Sequence, residues 1–245
     1  MNLSRLLPTA KEKYMRDFKK LADSWGVSFN NYDLLRQAHV HRSYLNEHKD
    51  FELDHNERLE FLGDAVLELS VTEYLYMKYP NPEGELTNWR ASLVNGQMLA
   101  TIASDLDIEK NLYLSKGESQ DNSSKARNYI LANAVEACIG AIYLDQGWPT
   151  ADIFIKKFIL IKLEDILAAK SYIDPKSNFQ EKAQELYGVT PSYKVIEESG
   201  PDHDKFFKIG LYIGRRKIAE GTGTSKQEAQ ISAARQGLLA MNWKS

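Results

Sequence analysis

The sequence predicts a multidomain chain, an all-α module followed by a small α+β module in the order α-β-β-β-α. Three observations lead there. Apolar residues recur at helical spacing through most of residues 1–168, with turn-rich breaks between the periodic segments. After the stretch AAKSYIDPKS, three short runs of β character appear, flanked by two helical ones. The charge changes sign at the same place. From Pro175 onward, 11 basic residues face 8 acidic ones, whereas the part before carries 20 against 26. That asymmetry points to two modules with different tasks.

Bulk properties narrow the class. With 43% hydrophobic and 27% charged residues among 245, the chain has the composition of a folded soluble protein, which sets intrinsic disorder aside. No apolar run approaches the ~18 residues that span a bilayer. The charged N-terminus, MNLSRLLPTAKEKYMRDF, lacks the apolar stretch of a secretory signal. Cys138 is the single cysteine, so neither an internal disulfide nor a cysteine-rich zinc site can form. A reducing, cytoplasmic location and no membrane contact are expected.

Taken in order, helices are expected over roughly Lys11 to Trp25, Tyr32 to Val40, Glu57 to Tyr79, Gly84 to Leu106, Ala126 to Leu144 and Trp148 to Ala168. Breaks fall at NPEG (Asn81 to Gly84), at DQGWP (Asp145 to Pro149) and at KGESQDNSSK (Lys116 to Lys125), the last read as a mobile loop. The helical module is assigned to residues 1–168 and a linker to 169–174, since an Asp-Pro step does not easily continue a helix. In the second module, 175–245, a helix from Asn178 to Tyr187 closes at Gly188. Strands follow over Ser192 to Ser199, Lys205 to Ile213 and Lys217 to Gly223, then an alanine-rich helix from Ser225 to Asn242.

The stretch His55 to Asp64, HNERLEFLGD, carries acids at Glu57, Glu60 and Asp64, offsets of three and seven that share one side of a helix. They alternate with Leu59, Phe61 and Leu62, which favour burial, and Gly63 leaves room for close approach by another helix. A second helix, ILANAVEACIGAIYLD, offers Asn133 and Glu136 three residues apart, with Ile130, Val135, Ile139 and Ile142 as apolar contacts. Packed together, the two helices gather four carboxylates and an amide. Oxygen donors at that density suit Mg²⁺, with Mn²⁺ able to substitute, rather than zinc. Such ions are the usual apparatus of phosphodiester hydrolysis.

Other chemistries fail on spacing. A di-iron bundle needs Glu-x-x-His, but Glu57 and Glu136 are followed at the third position by Glu60 and Ile139. The His55-Asn56-Glu57 start of a nucleobase deaminase lacks its Pro-Cys-x-x-Cys partner, and GTGTSK at Gly221 lacks the ending of a phosphate-binding Walker loop.

HNERLEFLGDAVLE closely resembles the signature stretch of the ribonuclease III family. AHVHRSYLNE, PEGELTNWRASLVN and ILANAVEACIGAIYLDQG resemble the family's other recurring blocks, in the same order. The resemblance implies a helical endonuclease that hydrolyses double-stranded RNA with Mg²⁺ and leaves 5′-phosphate and 3′-hydroxyl ends. It implies Glu57, Glu60, Asp64 and Glu136 as metal-binding acids, with Asp64 and Glu136 catalytic, and no small-molecule cofactor. It also implies a symmetric homodimer with two sites facing two strands, and Phe61 is the candidate interface residue. Ribosomal RNA precursor maturation and turnover of structured messenger RNA are the expected tasks. The family usually has aspartate at the position of Asn133, whose amide oxygen can still ligate a hard cation but brings no charge. That departure is the one argument for a competing reading, an RNA-binding protein that keeps the fold without cleaving. Glu83, Glu85 and Glu118 match further acids of the family blocks and are read as solvated loop residues. His41 and Arg42 are read as supports for helix packing.

The second module supplies an RNA-facing pattern of its own. Gln180, Glu181 and Gln184 share one helix side and suit the 2′-hydroxyls of a shallow minor groove. His203 stands at the tip of GPDHDK, placed to enter a neighbouring groove. Thr224, Ser225 and Lys226 open the last helix, where backbone amides and the helix dipole favour phosphate. The arrangement resembles a double-stranded RNA-binding domain, which reads duplex shape across two minor grooves. Where such domains commonly have a second lysine, this chain has Gln227.

Overall fold

The computed structural model describes residues 17–120, 124–170, 172–201 and 205–243. It divides into two units, Met1–Ile166 and Leu167–Ser245. Among the described residues, ten α-helices come first: α1 (Phe18–Trp25), α2 (Tyr32–Ala38), α3 (Arg42–Glu47), α4 (Glu57–Lys78), α5 (Glu83–Val94), α6 (Gly96–Asp105), α7 (Lys116–Gln120), α8 (Ser124–Gln146), α9 (Trp148–Phe158) and α10 (Leu163–Ala169).

Local chemistry explains where these helices start and stop. The Asp17 carboxylate accepts from the Lys20 N–H at 2.9 Å and caps α1, which therefore begins at Phe18; residues 11–16 lie outside the described residues. The single helix expected from Gly84 to Leu106 is two. Asn95 divides them by serving both ends: its amide donates to the Ala91 and Ser92 carbonyls of α5, and its Oδ1 accepts from the Met98 N–H of α6. Another expected helix, Trp148 to Ala168, breaks at a 3₁₀ turn over Leu160–Lys162. The stretch read as a loop from Lys116 is helical through Gln120. Helix α3 was not anticipated; His41 precedes it, and its ring Nδ1 accepts from the Ser43 N–H at 3.4 Å.

The core of the first unit is the crossing of its two longest helices, α4 and α8. On α4 the buried positions are Leu59, Gly63, Val66, Leu67, Ser70, Val71 and Leu75, a helical stripe. On α8, Val135, Cys138, Ile139 and Ile142 have no exposed surface. Two glycines set the separation. A Cβ on Gly63 would stand 1.7 Å from the Glu136 carbonyl oxygen, and one on Gly140 would stand 2.2 Å from that of Leu59. The backbones therefore touch where the acids sit. Buried Asn56 anchors the start of α4: its N–H donates to the Val40 carbonyl and its side-chain amide to that of Ala38.

In the second unit, α11 (Pro175–Tyr187) is followed by β1 (Ser192–Ser199), β2 (Phe206–Ile213), β3 (Arg216–Gly223) and α12 (Lys226–Ala240). The strands form an antiparallel sheet in the order β1-β2-β3, the expected α-β-β-β-α sequence. Helix α11 starts three residues earlier than the pattern implied, because the Asp174-Pro175 step opens it. The Asp174 carboxylate accepts from the Ser177 N–H, and proline suits the first helical position. Phe179, Ala183, Leu211, Ala233, Ala234 and Leu238 form the core, with Trp243 packed against them.

Candidate active site and nucleic-acid interface

The crossing of α4 and α8 places the acids. Glu57, Glu60 and Asp64 project from α4, and Asn133 and Glu136 from α8, beside the Gly63–Glu136 backbone contact. Glu60, Asn133 and Glu136 are half-buried, while Glu57 and Asp64 reach solvent. Burial, then the nearby Asp64 and Glu60 carboxylates, push the Glu136 carboxyl up from 4.5 to about 8. Glu60 is raised as well, by burial first and then by Glu57 and Asp64; a side-chain hydrogen bond with Asn133 works in the opposite direction. Glu60, Asp64 and Glu136 thus repel one another at a helix crossing. Among the described residues, no lysine, arginine or histidine pairs with any of the three.

Glu57 behaves differently. Its carboxylate lies 3.4 Å from Arg42 Nη1 and 3.8 Å from His55 Nδ1, so it is turned toward a basic pair at the start of α4. His41 stands in the same neighbourhood, where burial lowers its pKa and Glu118 and Glu57 oppose that shift. Glu83 accepts from the Thr87 hydroxyl and Glu85 from the Asn81 amide, each at 2.8 Å. Phe61 does not join the core of its own chain. It falls off the buried stripe of α4 and is 82% exposed, with Leu69, Tyr76 and Met77 also exposed along that helix.

In the second unit, Gln180, Glu181 and Gln184 are exposed and line one shallow groove with Glu185. His203 lies outside the described residues. Ser225 caps α12, its hydroxyl oxygen accepting from the Glu228 N–H at 3.2 Å. The Thr224 N–H and hydroxyl both donate to Glu228 Oε2, at 2.8 and 2.7 Å. Lys226 follows directly, with its ammonium 3.3 Å from Glu198 Oε2.

Comparison with known proteins matches each unit. The Ribonuclease-III-like family model covers residues 31–163, and the Double-stranded RNA binding motif covers residues 175–241. Ribonuclease 3 of Borreliella afzelii is 43% identical over 220 residues, spanning 89% of each chain. Ribonuclease 3 of Natranaerobius thermophilus is 45% identical over 229 residues, spanning 91% of this chain and 95% of its own. Among solved structures, the nuclease domain of ribonuclease III from Campylobacter jejuni superposes with a TM-score of 0.53 at 38% identity, covering 60% of this chain and 97% of that one. A second structure of that domain, at 39% identity and a TM-score of 0.52 over 58% of this chain and 96% of its own, concerns flexibility in a region involved in its dimer formation.

The chain belongs to the ribonuclease III family. It is a double-strand-specific endoribonuclease with its own double-stranded RNA-binding module. No helix among the described residues is long and apolar enough to cross a membrane.

For a ribonuclease III-family enzyme, the chemistry of the donor set decides whether a cation fits. Every group at the α4–α8 crossing offers oxygen, and a hard divalent ion takes oxygen ligands. As the side chains stand, no three acidic, histidine or cysteine groups among the described residues converge into a chelating cluster. That suits an ion bound through one or two carboxylates plus retained waters and substrate phosphate better than a closed cage. Glu60, Asp64 and Glu136 could hold such an ion, with Asn133 as a neutral oxygen donor. Glu57 would first have to leave Arg42 and His55. The sequence reading missed these two partners: Arg42 reaches Glu57 from α3, a contact with no periodic signal, and His55 reaches it from the turn just before α4.

Proposed function

We propose that this ribonuclease III-family enzyme hydrolyses double-stranded RNA with Mg²⁺, Mn²⁺ being able to substitute, and leaves 5′-phosphate and 3′-hydroxyl ends. One observation carries the reading: three carboxylates lie near enough to raise one another beside the Gly63–Gly140 crossing, with Glu136 raised to about 8. A fold tolerates such mutual repulsion where a cation is meant to relieve it. Bound there, Mg²⁺ would supply charge stabilisation at phosphorus and a nucleophile at neutral pH. The chain's own residues do the rest. Asp64 and Glu136 would present carboxylate oxygens to the cation, and Glu136, raised to about 8 without it, would bind it in its deprotonated form. Glu60 and Asn133 hold each other at the flank, and Glu57 joins when released by Arg42 and His55. In the RNA-binding module, Gln180, Glu181, Gln184 and His203 meet minor grooves, and Thr224, Ser225 and Lys226 meet phosphate.

The active form in this reading is a cytoplasmic homodimer, with Phe61 of one protomer packed against its partner so that two sites face two strands. Support comes from the exposure of that ring and from the relative whose dimer-forming region has been described. Its tasks would be maturation of ribosomal RNA precursors and processing or decay of structured messenger RNA. The direct test incubates the purified protein with a labelled long RNA duplex in Mg²⁺, in Ca²⁺ and in chelator. Cleavage confined to the Mg²⁺ sample, with ends that accept ligation, is the expected result. Equal cleavage in chelator overturns the metal assignment, and binding without cleavage in Mg²⁺ and Mn²⁺ overturns the assignment of the site.

A further inference from the structure

The RNA-binding module holds one carboxylate between two lysines. Glu198 lies near the end of β1, opposite Phe207 of β2. Lys205 immediately precedes β2, and Lys226 opens α12. Glu198 Oε1 accepts from Lys205 Nζ at 3.2 Å, and Glu198 Oε2 lies 3.3 Å from Lys226 Nζ, so each oxygen has its own lysine. The Lys226 ammonium also sits 5.5 Å from the centre of the Phe207 ring, which fixes its direction across the end of the sheet. Lys205 first and Lys226 next hold the Glu198 carboxyl below the ordinary carboxylate range. All three side chains reach solvent. Beside them, Glu228 takes the Thr224 N–H and hydroxyl. In the RNA-free protein, donors suited to phosphate are therefore held by the chain's own acids.

We propose that Glu198 competes with the RNA backbone for Lys205 and Lys226, and so sets how tightly and how salt-dependently the module holds a duplex. This rests on the reading of Lys226 as a phosphate contact. A lysine engaged with Glu198 must leave it to meet a phosphate, and the carboxylate left behind repels the incoming strand. The duplex still wins, because neutralising its phosphates releases condensed counterions. It wins by less than it would against free lysines. Exposed ion pairs are weak, so the effect is a graded adjustment of affinity and not a block. Glu228 is less suited to test the idea, because its carboxylate also holds the Thr224 N–H and hydroxyl just ahead of α12.

The experiment measures the affinity of the full-length protein for a labelled RNA duplex, in chelator to prevent cleavage, across a series of monovalent salt concentrations. Wild type, Glu198→Gln, Glu197→Gln, Lys226→Ala and the double variant Glu198→Gln/Lys226→Ala are compared. Glu197 neighbours Glu198 on β1, so its substitution removes the same charge without touching either lysine. Glu198→Gln is expected to bind about two- to five-fold tighter at low salt, with a salt dependence steeper by up to about one contact's worth. Glu197→Gln is expected to change affinity less, and the Glu198→Gln gain should shrink when Lys226 is alanine, the remainder belonging to Lys205. Equal effects of the two glutamate variants, weaker binding by Glu198→Gln, or a gain undiminished without Lys226 would each overturn the proposal. If Lys226→Ala alone leaves affinity and salt slope unchanged, the underlying reading of Lys226 fails first, and that outcome is visible without any Glu198 variant.

Discussion

Replacing Glu136 with glutamine should make the metal-free protein more stable at neutral pH, and the gain should depend on pH. Burial and the neighbouring Asp64 and Glu60 raise this carboxyl from 4.5 to about 8. The native state therefore favours the protonated form, and the unfolded state does not. The stability this group contributes is fully present below 4.5 and is lost as pH rises through about 8. At about 1.4 kcal/mol per pH unit, ionisation costs the native state about 1 kcal/mol at pH 5 and at most about 4 kcal/mol at pH 7.5. Relaxation of the side chains and partial solvation reduce the upper figure to roughly 2–4 kcal/mol. Glutamine keeps the shape and stays neutral, so it escapes the penalty. At roughly 2–4 °C per kcal/mol for a unit of this size, the variant should melt about 5–15 °C higher at pH 7.5 and within a few degrees of wild type at pH 4.5. Thermal melts followed by circular dichroism, in chelator and at constant ionic strength, read this directly. Adding Mg²⁺ should raise wild type more than the variant, because only the native site with its carboxylate gains from the cation. A gap between the two proteins that is flat with pH would refute the reasoning, as would a variant that melts lower at pH 7.5.

Three further outcomes are expected. Asn133→Asp should lower the Mg²⁺ concentration needed for half-maximal cleavage by adding a negative charge beside Glu60 and Glu136; superimposable titration curves would remove Asn133 from the site. Phe61→Glu should convert the proposed homodimer to monomer in sedimentation, since a ring 82% exposed in its own chain contributes little to the fold that holds it; an unchanged dimer would place the interface elsewhere. Removing the residues after Ile173 should weaken duplex binding and flatten its salt dependence while leaving some cleavage at low salt. Complete loss of cleavage at every salt concentration would show that the helical unit does not act by itself.

Much of this was legible in sequence for physical reasons that can be named. The acidic face of α4 follows from offsets of three and seven, and the close crossing from a glycine among apolar neighbours. Element order in the second unit followed from the change of period. What sequence missed was decided by single side chains that serve backbone groups. Asn95 splits a helix because its amide and carbonyl satisfy both cut ends. Asp174 turns an Asp-Pro step from a stop into a start. In sequence Phe61 is open between a core position and the candidate interface; the buried stripe through Leu59, Gly63, Val66, Leu67 and Ser70 leaves it on another side, out of its own core. The grips of Arg42 on Glu57, and of two lysines on Glu198, are tertiary ion pairs with no spacing to betray them.

The two functional surfaces use charge in opposite ways. At the α4–α8 crossing, like charges are forced together by backbone contact, and a cation would recover energy that folding stored. Around Glu198, opposite charges are already paired, and RNA gains only the difference between a phosphate contact and the ion pair it replaces. The first arrangement favours a strong response to a small ligand at a fixed site. The second favours a modest and reversible grip on a long polymer, which an enzyme must release after each cut. If that division is right, Glu198→Gln should tighten binding while slowing turnover under conditions where product release limits the rate. A variant that binds more tightly and turns over faster at saturating substrate would show that release is governed elsewhere.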